Sequence, residues 1–278
     1  NEKYDEARVP STADVPAAVD ALEGWLDAGY RVVTLNDEAL SPAILGVLCT
    51  ELERRETTAR YPGFRWICRS KLELAFTPAL FGRMRRTGCA EVLFGLESAS
   101  ERVRVLMDKH VAGLDRAAIL AIVGAAGDAG IGVHLNVIAG FPGEASEELV
   151  ETMMFLSHAL ADAPRATYIV NEFVVFPATP VAREPARFGI ELIDGPGDMV
   201  PLIPHQALES WAREAATIRR QLPGLRAQVA ADLGWSWLRD DPDREAALRL
   251  YFGTGHGTLL KAHDVDLRTI RSGRVAVA

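Results

Sequence analysis

Cysteine is scarce in these 278 residues: there are three, Cys49, Cys68 and Cys89, and no two lie within four positions of each other. That spacing excludes a local metal-ligand signature, and the sequence offers no metal-binding residues. An odd number of thiols without a secretory signal is the usage of a reducing compartment, so a cytoplasmic protein is expected. Long apolar runs are missing as well. None reaches the roughly 20 residues that span a bilayer, which argues against a membrane partner. Basic residues are outnumbered, giving a net charge of −8, so no basic face for non-specific nucleic-acid binding is expected. Asn1–Pro10 is polar and charged, unlike a signal peptide, and it lacks an initiating Met; the chain is expected to start inside a longer protein.

Apolar residues are plentiful, at 49%, enough for the core of one large domain. Their spacing alternates between two periods. Helical spacing marks 15–28, about 42–56, 78–86, 100–107, 114–129 and 146–160. Short buried strands are predicted over 31–35, 64–69, 91–95, 132–139 and 166–176. Proline follows Ser41 and Thr77 where helices should begin, and Gly29, Gly88 and Gly130 stand where helices should stop. Strands alternating with helices predict an α/β fold, a parallel sheet with outer helices arranged as a partial TIM-type (β/α) barrel. Polar and turn residues gather at the C-terminal ends of the strands, where a parallel barrel places its active site. The alternation fails after Gly189. Residues 190–204 read as a loop, and 206–221, 225–233 and 244–251 as helices. Two units are therefore expected: a barrel over 1–189 and a helical C-terminal extension over 190–278.

Two segments carry the chemistry. Phe94–Ser98 (FGLES) puts a carboxylate and a hydroxyl at a strand end, suited either to a polar ligand or to capping the next helix. Asn136–Glu144 (NVIAGFPGE) combines a strand with a turn in which Gly140 and Gly143 allow close backbone approach and Pro142 adds rigidity. A strand period of two puts His134, Asn136 and Ile138 on one face. For His134 a hydrogen-bonded core residue is the favoured reading over a ligand contact. Gly253–Gly257 is glycine-rich but lacks a phosphate-loop context, and Trp211, Trp235 and Trp237 suit either a pocket or a core. His110, His158, His205 and His263 are scattered and suggest no site.

These segments, with Thr34–Leu40, Arg65–Arg69 and Ala99–Lys109, resemble the radical S-adenosylmethionine (SAM) superfamily in order and spacing over residues 10–185. The subgroup most resembled carries a cobalamin-binding domain upstream. The resemblance implies an enzyme that uses SAM and a 4Fe–4S cluster to abstract a hydrogen atom, with an external electron donor and a small-metabolite or peptide substrate. In the cobalamin-dependent subgroup it implies methyl transfer. It implies SAM contacts from Glu97, Ser98, Asn136, Ile138, Gly140, Pro142, Gly143, Phe176 and Pro177, and an Arg69 pair with the methionine carboxylate. An ion pair from Arg69 to Asp37 or Glu38 fits equally. Asp37, Glu38, His134 and Glu172 are the substrate-side candidates. The Cys-x-x-x-Cys-x-x-Cys loop that holds the cluster in the superfamily is not in the chain. Two other readings follow: a degenerate barrel that binds SAM or another adenosyl ligand without catalysis, and an ordinary barrel enzyme using Asp37, Glu38, Glu97 or His134 as acid and base.

Overall fold

The computed structural model describes residues 11–35, 39–161, 166–193, 203 and 205–233, and the backbone of 275–277. Residues 234–274 lie outside it, with the helix expected over 244–251, the glycine-rich Gly253–Gly257, Trp235, Trp237 and His263.

The predicted alternation is present: α1 (Val15–Asp27), β1 (Val32–Leu35), α2 (Pro42–Arg54), α3 (Thr57–Arg60), β2 (Arg65–Lys71), α4 (Pro78–Arg86), β3 (Cys89–Glu97), α5 (Glu101–Leu106), α6 (Arg116–Asp128), β4 (Gly132–Ala139), α7 (Ser146–Ala161) and β5 (Ala166–Glu172). The local signals explain the boundaries. The side chains of Ser41, Thr77, Ser100 and Asp115 each accept a hydrogen bond from a backbone N–H in the first helical turn. Gly88 (φ 100°) and Gly130 (φ 75°) take the left-handed turn that ends α4 and α6.

The sheet runs β5-β4-β3-β2-β1 with every pair parallel, the arrangement of a partial TIM-type barrel. A strand not foreseen in the sequence, β8 (Val275–Val277), lies parallel to the outer edge of β1. One face of the sheet carries Val33, Trp66, Cys68, Val92, Phe94, Leu96, Val133, Leu135, Val137, Tyr168 and Val170, all buried in the main core. The helices cover that face. The other, concave face carries the alternate residues and becomes polar and open toward the C-terminal strand ends.

After β5 the structure departs from expectation. The segment read as a loop forms an antiparallel hairpin of β6 (Ile190–Leu192) and β7 (His205–Ala207), preceded by α8 (Pro180–Arg183). Strand β5 stops at Glu172, four residues short of the predicted end, and the chain then pairs once more, Val175 with Ile203. A single helix, α9 (Glu209–Asp232), replaces the two expected, and it begins after Gln206 because that residue belongs to β7. Pro223 lies inside α9. Its missing N–H weakens one turn. The tertiary contacts override that: Ile218, Leu222, Val229 and Leu233 are buried in the main core. Phe141, Val175, Val181 and Ile190 form a second, smaller core above the sheet. Among the described residues no helix is long and apolar enough to cross a membrane.

Candidate functional site

The concave face is a bowl. Cross-strand register defines its rows: Arg69, Leu93, His134 and Thr167 in one, and Lys71, Gly95, Asn136 and Ile169 in the row nearer the strand ends. The floor is buried, with Glu91 7%, His134 2% and Thr167 0% exposed. At the mouth Arg69 and Lys71 are exposed, and Asn136, Ile138 and Glu97 are half-buried.

Glu97 has an unusual backbone. The register of β3 against β4 shifts between Gly95 and Glu97, so Leu96 is an extra residue, a β-bulge. Ser98 N–H then donates to the Leu96 carbonyl at 2.7 Å, closing a three-residue turn around Glu97, whose φ is 60°. A non-glycine residue in that region costs on the order of 1–3 kcal/mol, and such strain gathers at functional sites. The turn folds the side chain back over the strand, and a Cβ built on Gly95 would stand 2.6 Å from Glu97 Oε1. Only glycine leaves room. Burial pushes the Glu97 carboxyl above the usual carboxylate range, opposed by the charge of Lys109. Among the described residues nothing hydrogen-bonds to this carboxylate.

Below it lies a polar network. The Nδ1 of His134 is 2.6 Å from Thr167 Oγ1, and its Nε2 is 3.2 Å from Asn136 Oδ1. Desolvation, with a small push from Arg69, lowers the imidazole to about 4 against the favourable bond to Asn136, so His134 is neutral at pH 7. This is a hydrogen-bonded buried histidine whose Asn136 partner reaches the mouth. Glu91 adjoins the network. Burial pushes its carboxyl up to about 8 despite a hydrogen bond with Thr167, and its Oε1 has no partner.

The Gly140–Gly143 turn is tied from within. Both glycines have positive φ, 77° and 88°. Gly140 N–H donates to Glu144 Oε2 at 2.6 Å, and Trp211 Nε1–H to the Glu144 carbonyl at 3.0 Å. Desolvation raises the Glu144 carboxyl to about 7. Pro142 is buried, and Cβ atoms on Gly140 and Gly143 would meet Ile218 and Leu106 at 3.5 and 3.3 Å. The turn is packed between α5 and α9, and the Gly140 amide is already engaged.

Two expected residues face away from the bowl. Ser98 is fully buried, its hydroxyl 3.1 Å from Thr152 Oγ1 and accepting from Ser100 N–H, so it joins β3 to α7 and is withdrawn from the bowl. Arg104, also buried, donates to the Ser98 carbonyl at 2.9 Å and fixes the same joint. Glu172 has the parity of Tyr168 and Val170. It faces α9, with its carboxylate 3.8 Å from Arg226, and is not on the substrate side. Phe176, 49% exposed, and Pro177 follow the end of β5. Asp37 and Glu38 lie outside the described residues; among those described, Arg69 has no ion-pair partner. The three thiols are buried on the helical side of the sheet, Cys49 and Cys89 with pKa values raised by desolvation. They face away from the bowl, and no cluster of His, Cys, Asp and Glu able to hold a metal is found among the described residues. The described residues do not offer the thiolate set that an iron–sulfur cluster needs.

Sequence reasoning overlooked Lys71, Gly95, Glu91 and Thr167. Period two from Arg69 would have found Lys71. A glycine inside a strand signals a bulge or a close approach, which is what Gly95 marks.

No family model matches the chain, and no curated protein matches it by sequence. Solved structures do match. The chain is similar to TsrM from Kitasatospora setae, a radical S-adenosylmethionine methyltransferase with cobalamin and a 4Fe–4S cluster bound, at a TM-score of 0.57 and 16% identity over 83% of this chain. It is similar to OxsB, a cobalamin-dependent S-adenosylmethionine radical enzyme with aqua-cobalamin and S-adenosylmethionine bound, at 0.56 and 14% over 85%. It is also similar to HemN from Escherichia coli, a coproporphyrinogen III oxidase and radical SAM enzyme, at 0.50 and 13% over 80%. The chain spans 47%, 41% and 48% of those three proteins. The fold of this chain is that of the radical SAM enzymes, with its likeness extending to their cobalamin-dependent members.

Proposed function

We propose that this chain is the SAM-facing part of a radical SAM enzyme, with Glu97 receiving the ammonium or a ribose hydroxyl of the ligand. The observation that carries this reading is the Glu97 carboxylate, held on a strained turn at the mouth of the bowl without a hydrogen-bond partner among the described residues. A half-buried carboxylate at the mouth with no hydrogen bond from the described residues is left to take its donors from solvent or from a ligand. Arg69 and Lys71, on the adjacent strand β2 and the same face, suit the ligand carboxylate, Arg69 through paired N–H donors. Ile138 offers apolar contact on the same face. In the whole protein a 4Fe–4S cluster would be held by residues outside this chain, since the three cysteines serve the core. That cluster would take electrons from an external donor. Methyl transfer with cobalamin is the reaction class that the likeness to TsrM favours. The substrate would be a small metabolite or a peptide.

Calorimetric titration of SAM into this chain and into Glu97→Gln tests the reading. Loss of a charged hydrogen-bond acceptor should weaken binding by about 1.5–3 kcal/mol. Equal affinity for the two proteins would sink it. The position of the cysteines favours a second reading, a barrel that binds an adenosyl ligand without radical chemistry. Iron and sulfide analysis of the full-length protein, prepared anaerobically, separates the two; a stoichiometric iron content rules out the second.

A further inference from the structure

A cleft lies between the ends of β4 and β5, the β6–β7 hairpin and α9. Its cause is a set of small side chains among large ones. On α9, Trp211, Ala215, Ile218 and Leu222 recur at helical spacing and so form one stripe, which lines the cleft. Ala215 lines it together with Ala139 of β4 and Ala207 of β7, and three methyl groups leave open the space that larger residues would fill. The cleft holds about 470 Å³, part of it open to solvent. Small-molecule sites run from roughly 300 to 1,000 Å³.

The walls are aromatic and fixed. Trp211 Nε1–H donates to the Glu144 carbonyl at 3.0 Å, which holds the indole in place. The Phe173 ring meets His205 edge-on, with centroids 5.4 Å apart and planes at 73°. Its other neighbour is Phe141, at 5.1 Å and 74°. Rings held by such contacts give a preformed apolar surface.

The charges at the rim do not cancel. Glu172 lines the cleft, and its carboxylate is met by Arg226 at 3.8 Å. Arg219 lines it too, and has no hydrogen bond or ion pair with a described residue. Burial pushes the His205 imidazole below its usual range, and the charge of Arg219 adds to the effect. The cleft therefore presents one uncommitted guanidinium beside three rings.

We infer that this cleft is a second ligand site, separate from the bowl, which takes an organic anion with a flat apolar ring and a carboxylate. The guanidinium supplies paired N–H donors for the carboxylate, and Trp211, Phe173 and His205 cover the ring. The site is separate because Ala139 and Glu172 have the parity of the core face of the sheet, whereas the bowl is lined by the alternate residues. It does not depend on whether the bowl binds SAM.

Titration of para-trifluoromethylbenzoate into the chain, without SAM, tests it. The indole N–H of Trp211 reports on the cleft; 15N-tryptophan labelling displays it, and its loss in Trp211→Phe assigns it. The benzoate should move that resonance to saturation. The neutral para-trifluoromethylbenzamide should bind about tenfold more weakly, for want of a charge-assisted pair. Arg219→Gln should impose the same loss on the benzoate and none on the benzamide. Arg219 is exposed, so this variant should keep the wild-type urea midpoint. Ala215→Leu keeps a good helix former, fills the cleft and should abolish binding of both probes. Lys71→Gln, in the bowl, should change nothing. A Trp211 resonance that stays in place up to the solubility limit of the benzoate overturns the inference. So does equal affinity of the benzoate for the wild type and Arg219→Gln. A loss in Lys71→Gln that matches the loss in Arg219→Gln would put the probe in the bowl and overturn it as well.

Discussion

Glu97 Oε1 occupies the space that a Cβ on Gly95 would need, 2.6 Å from where that atom would stand. The two residues face the same side of β3, yet they are not simple i, i+2 neighbours. The bulge at Leu96 and the turn at Glu97 bring the carboxylate back over the strand.

Replacing Gly95 with Ala should therefore separate stability from binding. The obstructed atom is the far end of a flexible side chain, so Glu97 can swing away at little cost to the fold. The change in unfolding free energy by urea titration should stay within about 1 kcal/mol, in the range of tolerated substitutions. SAM affinity should fall along with that of Glu97→Gln. Full affinity in Gly95→Ala would show that the folded-back position of Glu97 is immaterial to the ligand.

The strain at Glu97 predicts the opposite division of effects. Glycine takes φ 60° without a steric penalty, so Glu97→Gly should hold or raise stability, by up to about 1 kcal/mol, while removing the ligand's anchor. A urea midpoint well below that of the wild type would mean that the carboxylate serves folding rather than binding.

Glu91 predicts a pH dependence. Its carboxyl is raised to about 8 in the fold from an ordinary 4.5, so the folded state holds a proton that the unfolded chain has released. Its contribution is fully present below about pH 4.5 and is lost as the pH rises through about 8. Glu144, raised to about 7, acts in the same direction. His134, lowered to about 4, acts the other way, weakening the fold as the pH drops from 6.5 toward 4. Between pH 6.5 and 8 the two carboxyls act without this opposition. Urea titrations at those two pH values should show the wild type losing stability and Glu91→Gln losing less. Equal losses would mean that Glu91 is not buried as a neutral acid.

The sequence determined the repeating architecture. Apolar period, capping side chains and terminal glycines are local properties, and they placed five strands and their helices close to where they lie. Ser41 with Pro42 and Thr77 with Pro78 open α2 and α4 because an N-cap needs only its own first turn. The FGLES and NVIAGFPGE segments likewise marked the strand ends that form the mouth, because period two shows which residues share a face.

Tertiary structure decided the rest. Pro223 alone predicts a broken helix, and only burial of Ile218, Leu222 and Val229 carries α9 through it. The hairpin of β6 and β7 needed a partner strand that local patterning does not reveal. Ser98 and Glu97 are neighbours in sequence with opposite fates, one withdrawn to Thr152 and the other aimed at the bowl. A single turn with positive φ divides them. Period two could place His134 and Asn136 on one face, but it could not supply Thr167 from the adjacent strand. That partner, set by the register of β4 on β5, gives the buried imidazole a hydrogen bond at Nδ1 while Asn136 meets Nε2.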